Sequence, residues 1–191
     1  MNHFDRCQTR KTLNSAGRLA LLFVSLWAGI GCNTKTKATP ENFTKAVNAY
    51  FLERPECLFP NLRFPYATSD PTETKQMDSL VRSRLLESSY ESAVKTTRYR
   101  VSRTGERFAP RFCYGHREVS SIDHFTPPQT GPSGFPETTV DYRYTLKDVP
   151  VWAQSSDIAK SFPKMEKSTT AGGTDKITLA QTLAGWQVPE R

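Results

Sequence analysis

Residues 139–146 constrain this chain more than any other stretch: Val140, Tyr142, Tyr144 and Leu146 alternate with Thr139, Asp141, Arg143 and Thr145. A period of two is that of a strand with one buried face. Upstream stands FCYGHREVSSIDHF and between them a loop rich in Pro and Gly, TPPQTGPSGFPE. Residues 112–152 therefore predict a long antiparallel hairpin. A hairpin alone is marginal in water, so helices and further strands must cover its apolar face.

Those elements can be placed in order. Thr39-Pro40 opens a helix, Thr as the cap and Pro in the first turn, where its missing N–H costs nothing. Phe43, Val47, Tyr50 and Phe51 give it one apolar face, and Pro55 ends it. The segment PECLFPNLRFPY reads as extended chain that lays Leu58, Phe59, Leu62 and Phe64 along a surface. Asp70-Pro71-Thr72-Glu73 starts a second helix with a capping-box-like arrangement, and Met77, Leu80, Val81 and Leu85 form its buried stripe. TTRYRVSRTGERF reads as a strand with Tyr99 and Val101 inward, Arg98 and Arg100 outward and a turn at Gly105. Past Trp152, SSDIAKSF gives two helical turns closed by Pro163, and KMEKSTTAGGTD a mobile loop. KITLAQTLAGWQV closes the chain as a hairpin turning near Ala184-Gly185. The expected fold is α+β: two N-terminal helices packed on an antiparallel sheet of about four or five strands.

The first 18 residues carry four cations and one anion, and residues 19–30, LALLFVSLWAGI, are an uncharged run of 12. As a helix that run spans about 18 Å, short of the roughly 30 Å hydrocarbon core. It fits the apolar region of a signal peptide. Gly31-Cys32 ends it, and the polar NTKTKATPEN follows at once. This arrangement resembles bacterial lipoprotein signal peptides, with Gly29 standing where Leu is usual. The resemblance implies a diacylglyceryl thioether on Cys32, acylation of its new amino group, for example by palmitate, and a mature chain starting there. Asn33 in place of Asp leans toward the outer rather than the inner membrane. The organisation then reads as a leader over 1–31, a polar tether over 32–39 and one domain over 40–191. The other reading is an uncut membrane-anchoring helix with Cys32 an incidental thiol.

Hydrophobic residues make up 37% of the chain and aromatic residues 11%, enough for a modest core and against wholesale disorder. The net charge of +7 falls to +4 once Arg6, Arg10, Lys11, Arg18 and Asp5 go with the leader. So small an excess, spread without runs, reads as solvated surface, and no nucleic-acid partner is expected. Cys7 lies in the leader, leaving Cys57 and Cys113 as an even pair in an exported domain, which points to a disulfide; two buried free thiols are the alternative. Neither has a second ligand at zinc spacing, so no metal and no cofactor is expected.

His116 and His124 flank Ser120, Ser121, Asp123 and Glu118 on one strand. Positions on a single strand do not give the geometry of nucleophile, base and orienting acid, no nucleophile-elbow motif is present, and no enzyme is expected. Glu118, Asp123, Glu137 and Asp141 read as strand surface. Gly172-Gly173 lacks the Lys and helix of a phosphate loop.

Residues 77–107 resemble the recognition helix and wing of winged-helix regulators. Leu80-Val81 and Leu85-Leu86 stand in the helix, Tyr99 through Gly105 in the wing, and Arg84 where Gly is usual. That resemblance implies a module for nucleic acid or a protein partner, the alternative to an envelope protein. ENFTKAVNAYFLERPECLFP, FCYGHREVSSIDHFTPP, YTLKDVPVWA and the closing GWQV resemble an uncharacterised family of bacterial lipoproteins, which implies location but no activity and no site residues.

Overall fold

The structure, a computed structural model, describes residues 34–132 and 134–189. The leader and Cys32 lie outside the described residues.

Among the described residues four helices and nine strands follow in order: α1 (Pro40–Leu52), β1 (Glu56–Cys57), β2 (Tyr66–Thr68), α2 (Pro71–Arg82), β3 (Leu86–Glu91), β4 (Thr96–Val101), β5 (Cys113–Phe125), β6 (Gln129–Thr130), β7 (Pro136–Lys147), α3 (Ser156–Ser161), α4 (Pro163–Ala171), β8 (Gly173–Thr182) and β9 (Gly185–Gln187). Short 3-10 turns precede α1 at Thr34–Thr36 and α3 at Val151–Gln154. The class is α+β, with antiparallel pairing throughout.

The expected hairpin is present as β5 and β7, paired from His116 opposite Lys147 to Phe125 opposite Val140. It is the middle of a six-stranded sheet ordered β1-β5-β7-β8-β9, with β6 pairing onto the start of β7. The alternation in β7 buries Val140 and Tyr142 and half-buries Tyr144 and Leu146. In β5 the register shifts at Ser120 and again at Asp123, so its apolar residues do not keep a period of two.

A second sheet, ordered β2-β4-β3, was not expected. It forms because Leu86–Glu91, of which the sequence reading placed only Leu86, and that in a helix, is a strand. Helix α2 stops at Arg82, and Arg84 takes φ 58°, a left-handed conformation that carries the chain sharply out of the helix. Ser102 holds the return, its Oγ donating to the Arg84 carbonyl at 2.6 Å and accepting from Gly105 N at 3.0 Å.

Both helix starts follow their sequences. Thr39 Oγ1 accepts from Asn42 N at 3.4 Å, and Asp70 Oδ1 accepts from Thr72 N and Glu73 N at 2.9 and 2.8 Å. The capping box is incomplete, however. Glu73 turns its carboxylate to Tyr66 and Thr68, whose hydroxyls donate to it at 2.5 and 2.6 Å, and Asp70 N is satisfied by Thr68 Oγ1 at 3.0 Å. Those hydroxyls hold the Glu73 carboxyl below its ordinary range, Thr68 contributing most.

Two apolar cores result. Helix α1 lies on the six-stranded sheet, where Phe43 and Val47 are fully buried against Val119, Val140, Tyr142, Leu179 and Trp186. Phe43 meets Phe125 and Trp186 edge to face at 5.0 and 5.1 Å. Each such burial is worth about 1.5–3 kcal/mol. Helix α2 lies instead on the three-stranded sheet and packs Met77 and Leu80 with Tyr99, Phe112, Trp152, Ile158, Phe162 and Met165. Leu58, Phe59, Leu62 and Phe64 line this second core, as the proline-rich segment implied.

One expected loop is a helix. Pro163 not only closes α3 but opens α4, taking the first-turn position where proline fits, and Met165 is buried from it. The Gly pair follows as a stop and a strand start: Gly172 has φ 64°, and a Cβ there would lie 2.1 Å from the Tyr144 carbonyl oxygen.

Residues 34–38, expected as a polar tether, are fastened to the domain. Trp186 Nε1 donates to the carbonyls of Thr36 and Lys37 at 3.2 and 3.0 Å, Gln181 Nε2 to Thr36 at 3.0 Å, and Asn42 Nδ2 to Thr34 and Lys37 at 2.8 and 2.9 Å.

Candidate functional site

Cys57 and Cys113 are joined by a disulfide, S–S 2.08 Å, as directly opposed residues of β1 and β5. The bond sits at the neck of a subassembly: residues 58–112 between the cysteines contain β2, α2, β3 and β4. Next along the same two strands, on residues 56 and 117, lies a partly buried group of charged side chains.

Arg117 on β5 donates from Nε to Glu56 Oε1 on β1 at 2.6 Å and from Nη1 to Asp175 Oδ2 on β8 at 2.6 Å, with the Tyr142 hydroxyl at 3.4 Å. Its guanidinium carbon lies 4.4 Å from the Tyr144 ring centroid and 5.0 Å from that of Phe51 on α1. One side chain thus ties three strands and a helix. A planar cation suits this place because it can reach two carboxylates and still lie against aromatic faces. Burial alone would lower the Arg117 pKa, but hydrogen bonds to Asp175 and Tyr142 and the charge of Glu56 outweigh it and hold it above its ordinary value. Beside it Tyr114 is pushed up to about 12, first by burial and then by the charge of Glu56.

This cluster can hold strands together, but its acid and base are already matched to each other. The aromatic partners stood out in the sequence as apolar positions of β7 and α1, but neither Arg117 nor its acids, Glu56 and Asp175, did. An arginine between His116 and Glu118 in a polar run looks like surface, and only the register of β1, β5, β7 and β8 brings its acids from 61 residues before and 58 after.

The residues weighed in the sequence fall elsewhere. His116 faces Asp148, Nδ1 to Oδ2 3.4 Å, and Glu118 pairs with Lys147 at 3.7 Å. Ser121 Oγ donates to Asp123 Oδ1 at 3.0 Å, and Arg143 Nε to Asp123 Oδ2 at 2.7 Å, so this serine meets a carboxylate rather than an imidazole. Ser120 and His124 are exposed. Among the described residues no group of three His, Cys, Asp or Glu side chains gathers as metal ligands.

A groove of about 750 Å³ runs between α1 and the β8–β9 hairpin. Lys35, Lys45, Tyr50, Phe135, Trp186 and Val188 are among the residues that line it. The fastened segment at residues 34–38 contributes Lys35 to its lining.

Compared with protein-family models, curated proteins and solved structures, the chain matches none of them.

Proposed function

We propose that this chain is a lipid-anchored protein of the cell envelope, held through Cys32 on the extracytoplasmic side, with the outer membrane favoured over the inner. Its domain serves a binding or structural role rather than a catalytic one. The observation that carries the reading is positional. The charged leader, the uncharged run over 19–30 and Gly31-Cys32 end directly before a compact unit whose first described residue is Thr34. A disulfide at the neck of that unit accords with an oxidising compartment outside the cytoplasm. Two or more acyl chains on Cys32 would hold the protein stably on a membrane, at about 0.8 kcal/mol per buried methylene.

The alternative, a winged-helix-like module for nucleic acid or a protein partner, draws on α2 followed by the β3–β4 hairpin. In chain order helix α2 is flanked by the strands β2 and β3 rather than by the second helix of a helix-turn-helix, and Arg82 and Arg98 are paired with Asp157 and Glu91. The anchored reading is preferred. Cells fed a labelled fatty acid test it. Label should enter the membrane-bound wild-type protein and be absent from Cys32→Ala; an unlabelled wild-type chain in the soluble fraction, with salt-sensitive DNA binding, would favour the alternative.

A further inference from the structure

We infer that the face carrying the β8–β9 turn is the surface by which the domain lies against an anionic bilayer, with Leu183 entering the interfacial region. The inference rests on acylation of Cys32 and adds to it an orientation, which a lipid anchor alone does not supply.

Leu183 is 98% exposed, the most exposed of the large apolar side chains among the described residues. A lone exposed leucine needs no explanation by itself. Its place in the fold sets it apart. It sits at the tip of the turn between β8 and β9, where Gly185 at φ 119° brings the backbone back and where Lys35 lies close enough that a Cβ on Gly185 would stand 3.2 Å from its carbonyl oxygen.

The same hairpin grips the start of the domain. Gln181 and Trp186 hold Thr36 and Lys37, and Asn42 holds Thr34 from α1. A free tether of eight residues would let any face meet the membrane. With Thr34 fastened, two peptide units separate it from Cys32, a reach of at most about 7 Å. An acylated Cys32 therefore brings this end of the molecule, and no other, to the lipid surface.

Charge and further apolar surface favour the same face. Lys35 and Lys37 are exposed on the fastened segment, and Lys45 and Arg54 line the adjoining groove, where Phe135 is 51% exposed. Glu41 acts on Lys45 and Glu53 lies 4.0 Å from Arg54, so Lys35 and Lys37 are the cations left over. Basic side chains beside an apolar tip suit anionic headgroups over acyl chains. The remaining exposed large apolar residues among those described are spread over other elements: Tyr90 and Val94 in the β3–β4 hairpin, Val151 in the 3-10 turn before α3 and Leu52 at the end of α1.

The test uses the acylated protein in vesicles of phosphatidylglycerol or phosphatidylcholine that carry a spin-labelled lipid as quencher. Leu183→Cys is labelled with an environment-sensitive fluorophore, and Val94→Cys serves as the comparison. With Cys57 and Cys113 in their disulfide and Cys32 acylated, the introduced thiol is the one that reacts. The expected result is strong quenching at 183, weak quenching at 94, and a larger difference on phosphatidylglycerol that Lys35→Glu with Lys37→Glu removes. Equal quenching at both positions in a protein whose mass shows the acyl chains overturns the orientation and leaves the anchor standing. A chain without acyl groups overturns the anchor, and the orientation with it.

Discussion

Arg117 holds the polar cluster together, and a single substitution there tests what the cluster contributes to the fold. Arg117→Met keeps a stem to lie on Tyr144 but leaves Glu56 and Asp175 facing each other without their cation. Breaking a fully buried pair costs about 3–5 kcal/mol, but Arg117 is 18% exposed and Asp175 49% exposed, so water takes part of the penalty and about 2 kcal/mol is expected. Arg117→Lys should recover only a fraction, since a point charge on one stem cannot bond two carboxylates and stack as well. Urea denaturation at unchanged m value checks this, and a Met variant as stable as wild type would show the cluster to be dispensable. Tyrosines set the alkaline limit. Tyr99, Tyr114 and Tyr142 are each pushed up to about 12, chiefly by burial, with the Asp78 hydrogen bond adding at Tyr99 and Arg117 opposing at Tyr142. A phenol whose folded pKa is raised stabilises the fold fully below its unfolded value of about 10 and loses that contribution as pH rises through about 12. Tyrosinate absorbance and circular dichroism should therefore change together in that window. Complete phenol ionisation near pH 10 in a chain that stays folded would contradict it.

Among the elements, the two helix caps differ in a way that predicts unequal costs. Asp70 Oδ1 takes two N–H groups at 2.8 and 2.9 Å, whereas Thr39 Oγ1 takes one at 3.4 Å. Asp70→Ala should cost about 1 kcal/mol and Thr39→Ala a few tenths, read from shifts in the denaturation midpoint. The reverse order would mean that these bonds do not set helix stability. Cap residues and the period in β7 are also why those elements were legible in the sequence: each is a local pattern with one structural solution. What stayed hidden depended on distant partners. The bulges at Ser120 and Asp123 blur the period of β5; the small, polar residues of α4 look like a loop until Met165 finds its pocket; and Leu86 reads as helix because Arg84, rather than Gly, makes the turn. The Arg117 cluster is the extreme case, assembled only by strand register, while the cysteine pair was found because counting alone left two.

At the scale of the molecule, the disulfide is placed to control one part more than another. It closes the neck of residues 58–112, which hold the three-stranded sheet and α2, and the chain-entropy model gives such a loop roughly 4 kcal/mol. Reduction, or Cys57→Ser with Cys113→Ser, should therefore lower stability by up to about that amount. Hydrogen exchange should rise across β2, α2, β3 and β4 well before α1, β7 and β8, and an even rise throughout would argue against the neck. The larger claim is that this domain, fastened at residues 34–38, rides on a lipid attached two residues upstream. Its most direct test is the intact mass of the membrane-extracted protein without reductant, beside Cys32→Ala. The account predicts a chain of residues 32–191 carrying acyl chains, short by two hydrogens for the Cys57–Cys113 bond, and no acyl mass in the variant. A full-length, unacylated chain would contradict it.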